Sequence, residues 1–100
     1  MYELEHDDAI LTARQVLKGK YVVVDTETTG ILDAFIVQLG YVTETNDMTR
    51  MLICPGVPIT AQATAVHGIT DDMVKDEPKM LAVWNTYLFK TITPRTFVGY

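Results

Sequence analysis

Near the start of the chain, apolar residues recur at helical spacing. Ile10, Ala13, Val16 and Leu17 fall on one side of the segment from Asp7 to Lys18. Asp7 or Asp8 is placed to cap its start and Gly19 to close its end, so the pattern predicts an amphipathic helix. Tyr21-Val22-Val23-Val24 follows, apolar on both faces and mostly β-branched, as in a central strand covered on two sides. That run stops abruptly in acids, hydroxyls and Gly30. Phe35 to Val42 predicts a second strand, with Phe35, Val37, Leu39 and Tyr41 on one face and Ile36, Gln38, Gly40 and Val42 on the other. After the polar turn Glu44-Thr45-Asn46-Asp47, Met48 to Ile53 returns as a third strand and completes a hairpin.

Cys54-Pro55-Gly56-Val57-Pro58 breaks the sheet. Thr60 is placed to cap a short helix running toward Val66 and ending at Gly68. Thr70 is placed to cap another, with Asp71 and Asp72 in the first turn, where the helix dipole favours acids. Asp76-Glu77-Pro78 opens a longer helix, proline being tolerated in a first turn. Its predicted buried stripe is Leu81, Trp84 and Leu88, flanked by Met80 and Tyr87. Thr93-Pro94 ends that helix, and residues 96–100 read as a fourth strand. A hairpin followed by a helical crossover and one more strand implies a mixed α/β sheet.

Composition narrows this picture. One hundred residues, 48% of them hydrophobic, suit one small folded domain. The net charge of −5, from 13 acids against 8 bases, excludes a broad basic surface for nucleic acid. It does not exclude a nucleic-acid enzyme whose bound cations supply positive charge locally. The single cysteine, Cys54, cannot form an internal disulfide or, alone, a cysteine-based zinc site. Met1-Tyr2-Glu3-Leu4-Glu5 carries acids where a secretory signal carries lysines, and no apolar run approaches the roughly 20 residues of a membrane helix. A cytoplasmic protein without a membrane is the expectation.

The chemistry concentrates in Asp25-Thr26-Glu27-Thr28-Thr29-Gly30. Residues two apart on a strand share a face, so Asp25 and Glu27 present both carboxylates together. Unpaired carboxylates that close repel each other, and a divalent cation relieves the repulsion. Oxygen ligands of this kind suit Mg²⁺ or Mn²⁺. Two such ions about 4 Å apart activate a water and stabilise the leaving oxygen of an in-line displacement. A bare Asp-X-Glu is more often just a strand ending in a polar turn. His67, beside Gly68, is by itself more often a helix-end residue than a catalytic one.

The company of the motif changes its weight. VVVDTETTG, then IVQLGYV, then CPGVPITAQATAVHGITDDMV together resemble the DnaQ-like 3′→5′ exonucleases, in their histidine-dependent (DEDDh) branch of the DEDD superfamily. The three blocks span most of residues 21 to 75. The resemblance implies a ribonuclease H-like mixed sheet with flanking helices, cut short after the fourth strand. It divides the chain into an N-terminal helical extension, residues 1–20, and the N-terminal portion of an exonuclease domain, residues 21–100. It further implies that Asp25 and Glu27 are catalytic metal ligands for two Mg²⁺ or Mn²⁺ ions. Thr28 and Thr29 fall where the family's backbone holds the 3′-terminal nucleotide, Ile31 where an apolar side chain wedges against its base, and Val66 and His67 in the loop lining its pocket. Gln38 stands where many relatives have glutamate and is not counted as a ligand.

The family uses four acids and a histidine, and its second-motif aspartate would follow Tyr100 by a few residues. The expected activity is therefore 3′→5′ hydrolysis at single-stranded DNA or RNA 3′ ends, DNA favoured, with this sequence holding the first-motif half of the site. A polymerase or a complementing chain is a possible partner. The alternative is an inactive nucleic-acid-binding or assembly module, self-associating through an exposed fourth strand. A phosphotransfer domain with Asp25 as nucleophile is disfavoured by Glu27, where such sites carry a second aspartate.

Overall fold

The computed structural model describes residues 19–32 and 34–99. The predicted helix from Asp7 to Lys18, and with it all of the proposed extension but residues 19 and 20, lies outside the described residues. Four strands form one sheet: β1 (Tyr21–Thr28), β2 (Ile36–Thr43), β3 (Met48–Leu52) and β4 (Thr96–Gly99), in the order β3-β2-β1-β4. β1 and β2 are antiparallel, as are β2 and β3, while β4 lies parallel to β1. The mixed sheet and the hairpin are as the hydrophobic pattern predicts. β1 is longer than its apolar run suggests, because Asp25, Thr26, Glu27 and Thr28 continue the ladder opposite β2.

Between β3 and β4 come α1 (Ala61–His67), α2 (Asp71–Val74), α3 (Met80–Val83), a π-helical segment (Trp84–Leu88) and α4 (Phe89–Ile92). The cap of α1 is the one predicted: the Thr60 hydroxyl accepts from the Ala63 N–H, and Gly68 closes the helix at φ 77°. Thr70 stands at the N-cap of α2 without a side-chain cap bond. Asp71 does more than face the helix dipole, since its Oδ1 accepts from the Ile59 N–H at 2.8 Å and so ties the preceding loop to α2.

Two expectations are corrected. Pro78 is not in the first turn of a helix: its carbonyl accepts from the Cys54 N–H, the segment bridges β-fashion to Cys54, and Lys79 is the N-cap of α3. Leu81 is 71% exposed, so it is not in the buried stripe. The residues that face the sheet are Met80, Val83, Trp84, Leu88 and Ile92. Met80, Trp84, Leu88 and Ile92 are four apart, which on a regular α-helix drifts by about 40° per step. The wider π turn absorbs that drift and keeps them on one side. Trp84 meets Phe89 edge-on, with ring centroids 6.1 Å apart.

The sheet is covered on both faces. Val22 and Val24 pack with Leu39, Ile53, Val83 and Leu88 on one side. Tyr21, Val23 and Val42 cluster on the other, with Val98 against them. Val37 joins Ile59, Ile69 and Val74 beneath α1 and α2. The predicted alternation in β2 therefore fails at one point. Glu27 pairs with Gln38 but Thr28 pairs with Ile36, leaving Val37 as an extra, bulged residue. The bulge puts Ile36 in the cluster of Leu39 and Val37 in that of Leu52, the reverse of strict alternation.

The hairpin turn is fixed by Asn46 at φ 64° and by the Thr45 hydroxyl donating to Asp47 Oδ2. Arg95 donates from Nε to Glu44 Oε2 at 2.9 Å and from Nη1 to the Thr91 carbonyl, pinning the turn into β4 against the end of the hairpin. The Arg95 guanidinium holds the Glu44 carboxyl below the usual carboxylate range. Among the described residues no helix is long and apolar enough to cross a membrane.

Candidate active site

Asp25 and Glu27 lie on the same face of β1, as their spacing requires. Asp25 is 6% exposed, and its Oδ2 is buried with no hydrogen-bond partner. A buried carboxylate oxygen without a partner is costly unless something cationic or protic satisfies it. A divalent ion is such a partner, and an all-oxygen pair is the donor set that Mg²⁺ or Mn²⁺ prefers. The two residues fit an ion in that respect. Among the described residues, no group of three or more His, Cys, Asp or Glu side chains comes together around them.

Glu27 is the more accessible of the pair and stands in the wall of a cleft of about 620 Å³. Thr28, Gly30 and Ile31 form the β1 side of this cleft, and Thr60, Gln62, Val66 and His67 form the opposite side. Gly30 is small for a reason: a Cβ there would stand 3.1 Å from Thr60 Cγ2. The Thr60 N–H donates to the Thr29 carbonyl at 2.9 Å, so the end of β1 and the start of α1 meet closely. The rim is apolar and open, with Ile31 93%, Leu32 88% and Val66 84% exposed.

His67 closes the arrangement. Its Nδ1 accepts from the Ile69 N–H at 3.0 Å, so that nitrogen carries a lone pair. Its Nε2 lies 2.8 Å from the Thr28 carbonyl, which can only accept, so Nε2 carries the hydrogen and donates. The imidazole is neutral, in the Nε2–H tautomer, with both nitrogens engaged by backbone. It therefore has no nitrogen left for a metal or for proton abstraction. What remains available toward the cleft is a ring face.

The structure thus brings Glu27, Thr28, Ile31, Val66 and His67 around one cleft, with Asp25 buried one alternation behind Glu27. Thr29 is placed differently from the sequence reading. It is 4% exposed, its N–H donates to the Phe35 carbonyl, its carbonyl accepts from Thr60, and its hydroxyl accepts from the Phe35 N–H. With these groups engaged, Thr29 is a joint in the scaffold and does not line the cleft. Thr28 has its hydroxyl turned to the Gly30 carbonyl at 2.9 Å. Leu32, Thr60 and Gln62 line the cleft without having been singled out from sequence. Only the N-cap position of Thr60 gave a sequence signal, and that signal was for structure.

A second depression, of about 550 Å³, lies on the other side of Glu27 and shares Glu27, Val66 and His67 with the first. Gln38, Arg50 and Met73 line it too, with Leu52, Gly68 and Ile69.

The family model described as Exonuclease (RNase_T) matches residues 22–95. The chain belongs to this exonuclease family. Its DnaQ-like character is supported by relatives with which it shares the first part of the domain. The member is 43% identical over 68 residues to the "Uncharacterized exonuclease CP81" of Escherichia phage 186, covering 66% of this chain and 35% of that protein. It is 42% identical over 75 residues to a "DNA polymerase III subunit epsilon-like protein" of Rhodobacter capsulatus, covering 66% of this chain and 11% of that one. The chain thus spans about a third of the first relative's length and a ninth of the second's. Among solved structures it resembles "Exonuclease X in complex with 5′ overhanging duplex DNA" with a TM-score of 0.59 and 35% identity, covering 67% of this chain and 42% of that one. The exonuclease fold found here is accordingly the ribonuclease H-like mixed sheet with flanking helices.

Proposed function

We propose that this exonuclease acts at nucleic-acid 3′ ends in the 3′→5′ direction, and that Asp25 and Glu27 are its first pair of metal-ligating carboxylates. The observation that carries the proposal is the buried, unpartnered Oδ2 of Asp25 on the same strand face as Glu27, which itself stands in the wall of the cleft. Asp25, held dry in the sheet, would fix an ion in place, while Glu27 in the cleft wall would share it with substrate phosphate. Two Mg²⁺ or Mn²⁺ ions held there would supply an activated water and a stabilised leaving oxygen. Two side chains are fewer ligands than two such ions need. Further protein groups, in this or a complementing chain, would join water and the phosphate in completing the set.

The apolar rim offers Ile31 and Val66 to the terminal base, and the His67 ring presents a face for stacking. His67 would hold the wall in position and move no proton. DNA is favoured over RNA, since one solved relative was captured with DNA and another is described as epsilon-like to a DNA polymerase. The same description makes a polymerase the natural partner to test. The decisive experiment follows a 5′-labelled single-stranded oligonucleotide with the full-length protein and Mg²⁺ or Mn²⁺. A ladder shortening from the 3′ end is expected, with kcat lowered by several orders of magnitude in Asp25→Ala and in Glu27→Ala. Undiminished cleavage by either variant would refute the assignment.

A further inference from the structure

The ladder lines up one row across the sheet that no motif suggests. Asp25 pairs directly with Gly40, and Gly40 pairs directly with Arg50. Directly paired residues present their side chains on the same face, so Asp25 and Arg50 flank a position that has no side chain. The next row, Glu27 with Gln38 and Gln38 with Leu52, lies on the same face. Neighbouring strands are about 4.8 Å apart, which puts the Asp25 and Arg50 backbones about 10 Å from each other. Arg50 uses the gap. Its Nε lies 4.0 Å from where a Cβ on Gly40 would stand, so the side chain leans over β2 in the direction of the acidic strand. It is exposed to solvent there, and it is also engaged in a contact within the fold, which restrains it.

Arg50 lines the second depression, which shares Glu27, Val66 and His67 with the first cleft. Among the described residues that line these two depressions, it is the one lysine or arginine. A polyanionic strand approaching two carboxylates in a chain of net charge −5 needs a local cation to hold its backbone. The planar guanidinium suits a phosphate through paired N–H donors. Resting on the exonuclease reading above, we infer that Arg50 binds a backbone phosphate upstream of the cleaved bond, and that Gly40 is the clearance that lets it reach. Arg50 is then a positioning residue: it registers the strand over Asp25 and Glu27 and touches no reacting atom.

The test uses the full-length protein and three substrates. One is a single-stranded DNA oligonucleotide, one the same oligonucleotide with a neutral methylphosphonate at the first linkage upstream of the scissile one, and one the p-nitrophenyl ester of thymidine 5′-monophosphate. In Arg50→Ala, KM for the oligonucleotide is expected to rise about tenfold with kcat held, and Arg50→Lys to recover part of it. The logarithmic salt slope of oligonucleotide binding, measured in EDTA, should fall by about 0.7, the value for one phosphate contact on a single strand. The methylphosphonate should cost the unaltered protein a similar factor and cost Arg50→Ala nothing more. A methylphosphonate penalty that persists in full in Arg50→Ala overturns the inference, as does a loss equally large on the ester, which has no upstream phosphate. If the unaltered protein turns over neither oligonucleotide nor ester, the exonuclease reading itself falls, and this inference with it.

Discussion

Replacing His67 tests how the cleft wall is held. Its two ring nitrogens bridge the Thr28 carbonyl at the end of β1 and the Ile69 N–H beyond α1, over 2.8 and 3.0 Å. Alanine removes both bonds. A typical internal hydrogen bond contributes about 1 kcal/mol net, and a partner left buried and unpaired costs about 1–3 kcal/mol. His67 is half-buried, so water recovers part of the loss and a destabilisation of about 2 kcal/mol is expected for His67→Ala. The two bonds separate by side-chain length. Asparagine places its amide near the Nδ1 position and glutamine near Nε2, so each should retain one bond and cost about half as much. Urea unfolding of the full-length protein, read by circular dichroism, gives the three values. Long-range ¹⁵N–¹H correlation of the imidazole gives the tautomer, expected as Nε2–H. A cost under about 0.5 kcal/mol for His67→Ala, or an Nδ1–H tautomer, would refute the latch.

The remaining predictions concern separate parts of the structure. Asp25→Asn should abolish cleavage while leaving the metal-free protein as stable as before or more so, because the buried Oδ2 has no partner to lose; thermal unfolding in EDTA measures this. Added Mn²⁺ should raise the unfolding temperature of the unaltered protein and leave that of this variant unchanged. Leu88→Ala, at a fully buried site under the π turn, should cost about 2–5 kcal/mol in urea. The Glu44 carboxyl is held low by Arg95, so the pair's contribution is present above the ordinary carboxylate pKa of 4.5 and is lost as pH falls below it. The stability difference between Arg95→Ala and the unaltered protein should accordingly be larger at neutral pH than at acid pH, where only the loss of the Arg95 bond to the Thr91 carbonyl remains.

Much of the fold was legible in the chain because its signals are local. The valine run of β1, the Thr60 and Gly68 brackets of α1, and the polar turn at residues 44–47 each depend on a few adjacent residues. The acidic pair was legible for the same reason, strand alternation being a property of neighbours. Features that depend on partners distant in sequence were not. Val37 has the hydrophobicity of a regular strand residue, and only the pairing of β1 with β2 shows it to be bulged. Pro78 looks like a first-turn proline until Cys54 claims its carbonyl. Leu81 fits an α-helical stripe, but the π turn resets the phase. In the sequence Arg50 is one of 8 lysines and arginines, with no motif around it. Placing it opposite Gly40 requires the hairpin centre to the residue, and an error of one would put it on the other face.

The bulge at Val37 has a consequence for how the chain tolerates insertions and deletions. Two successive residues of β2, Val37 and Gln38, face the same way, one into the apolar layer beneath α1 and α2, the other into the depression beside Glu27. Excising Val37 would leave Ile36 opposite Thr28 and Gln38 opposite Glu27 in an uninterrupted ladder, so the hairpin would keep its frame. What would go is one apolar anchor between the sheet and α1, which carries Val66 and His67, leaving its hydrogen bonds to Thr28 and Thr29 to hold it. A one-residue deletion there should yield a folded sheet whose cleft wall is loosened, a lesion of alignment that no change at the acids themselves would mimic.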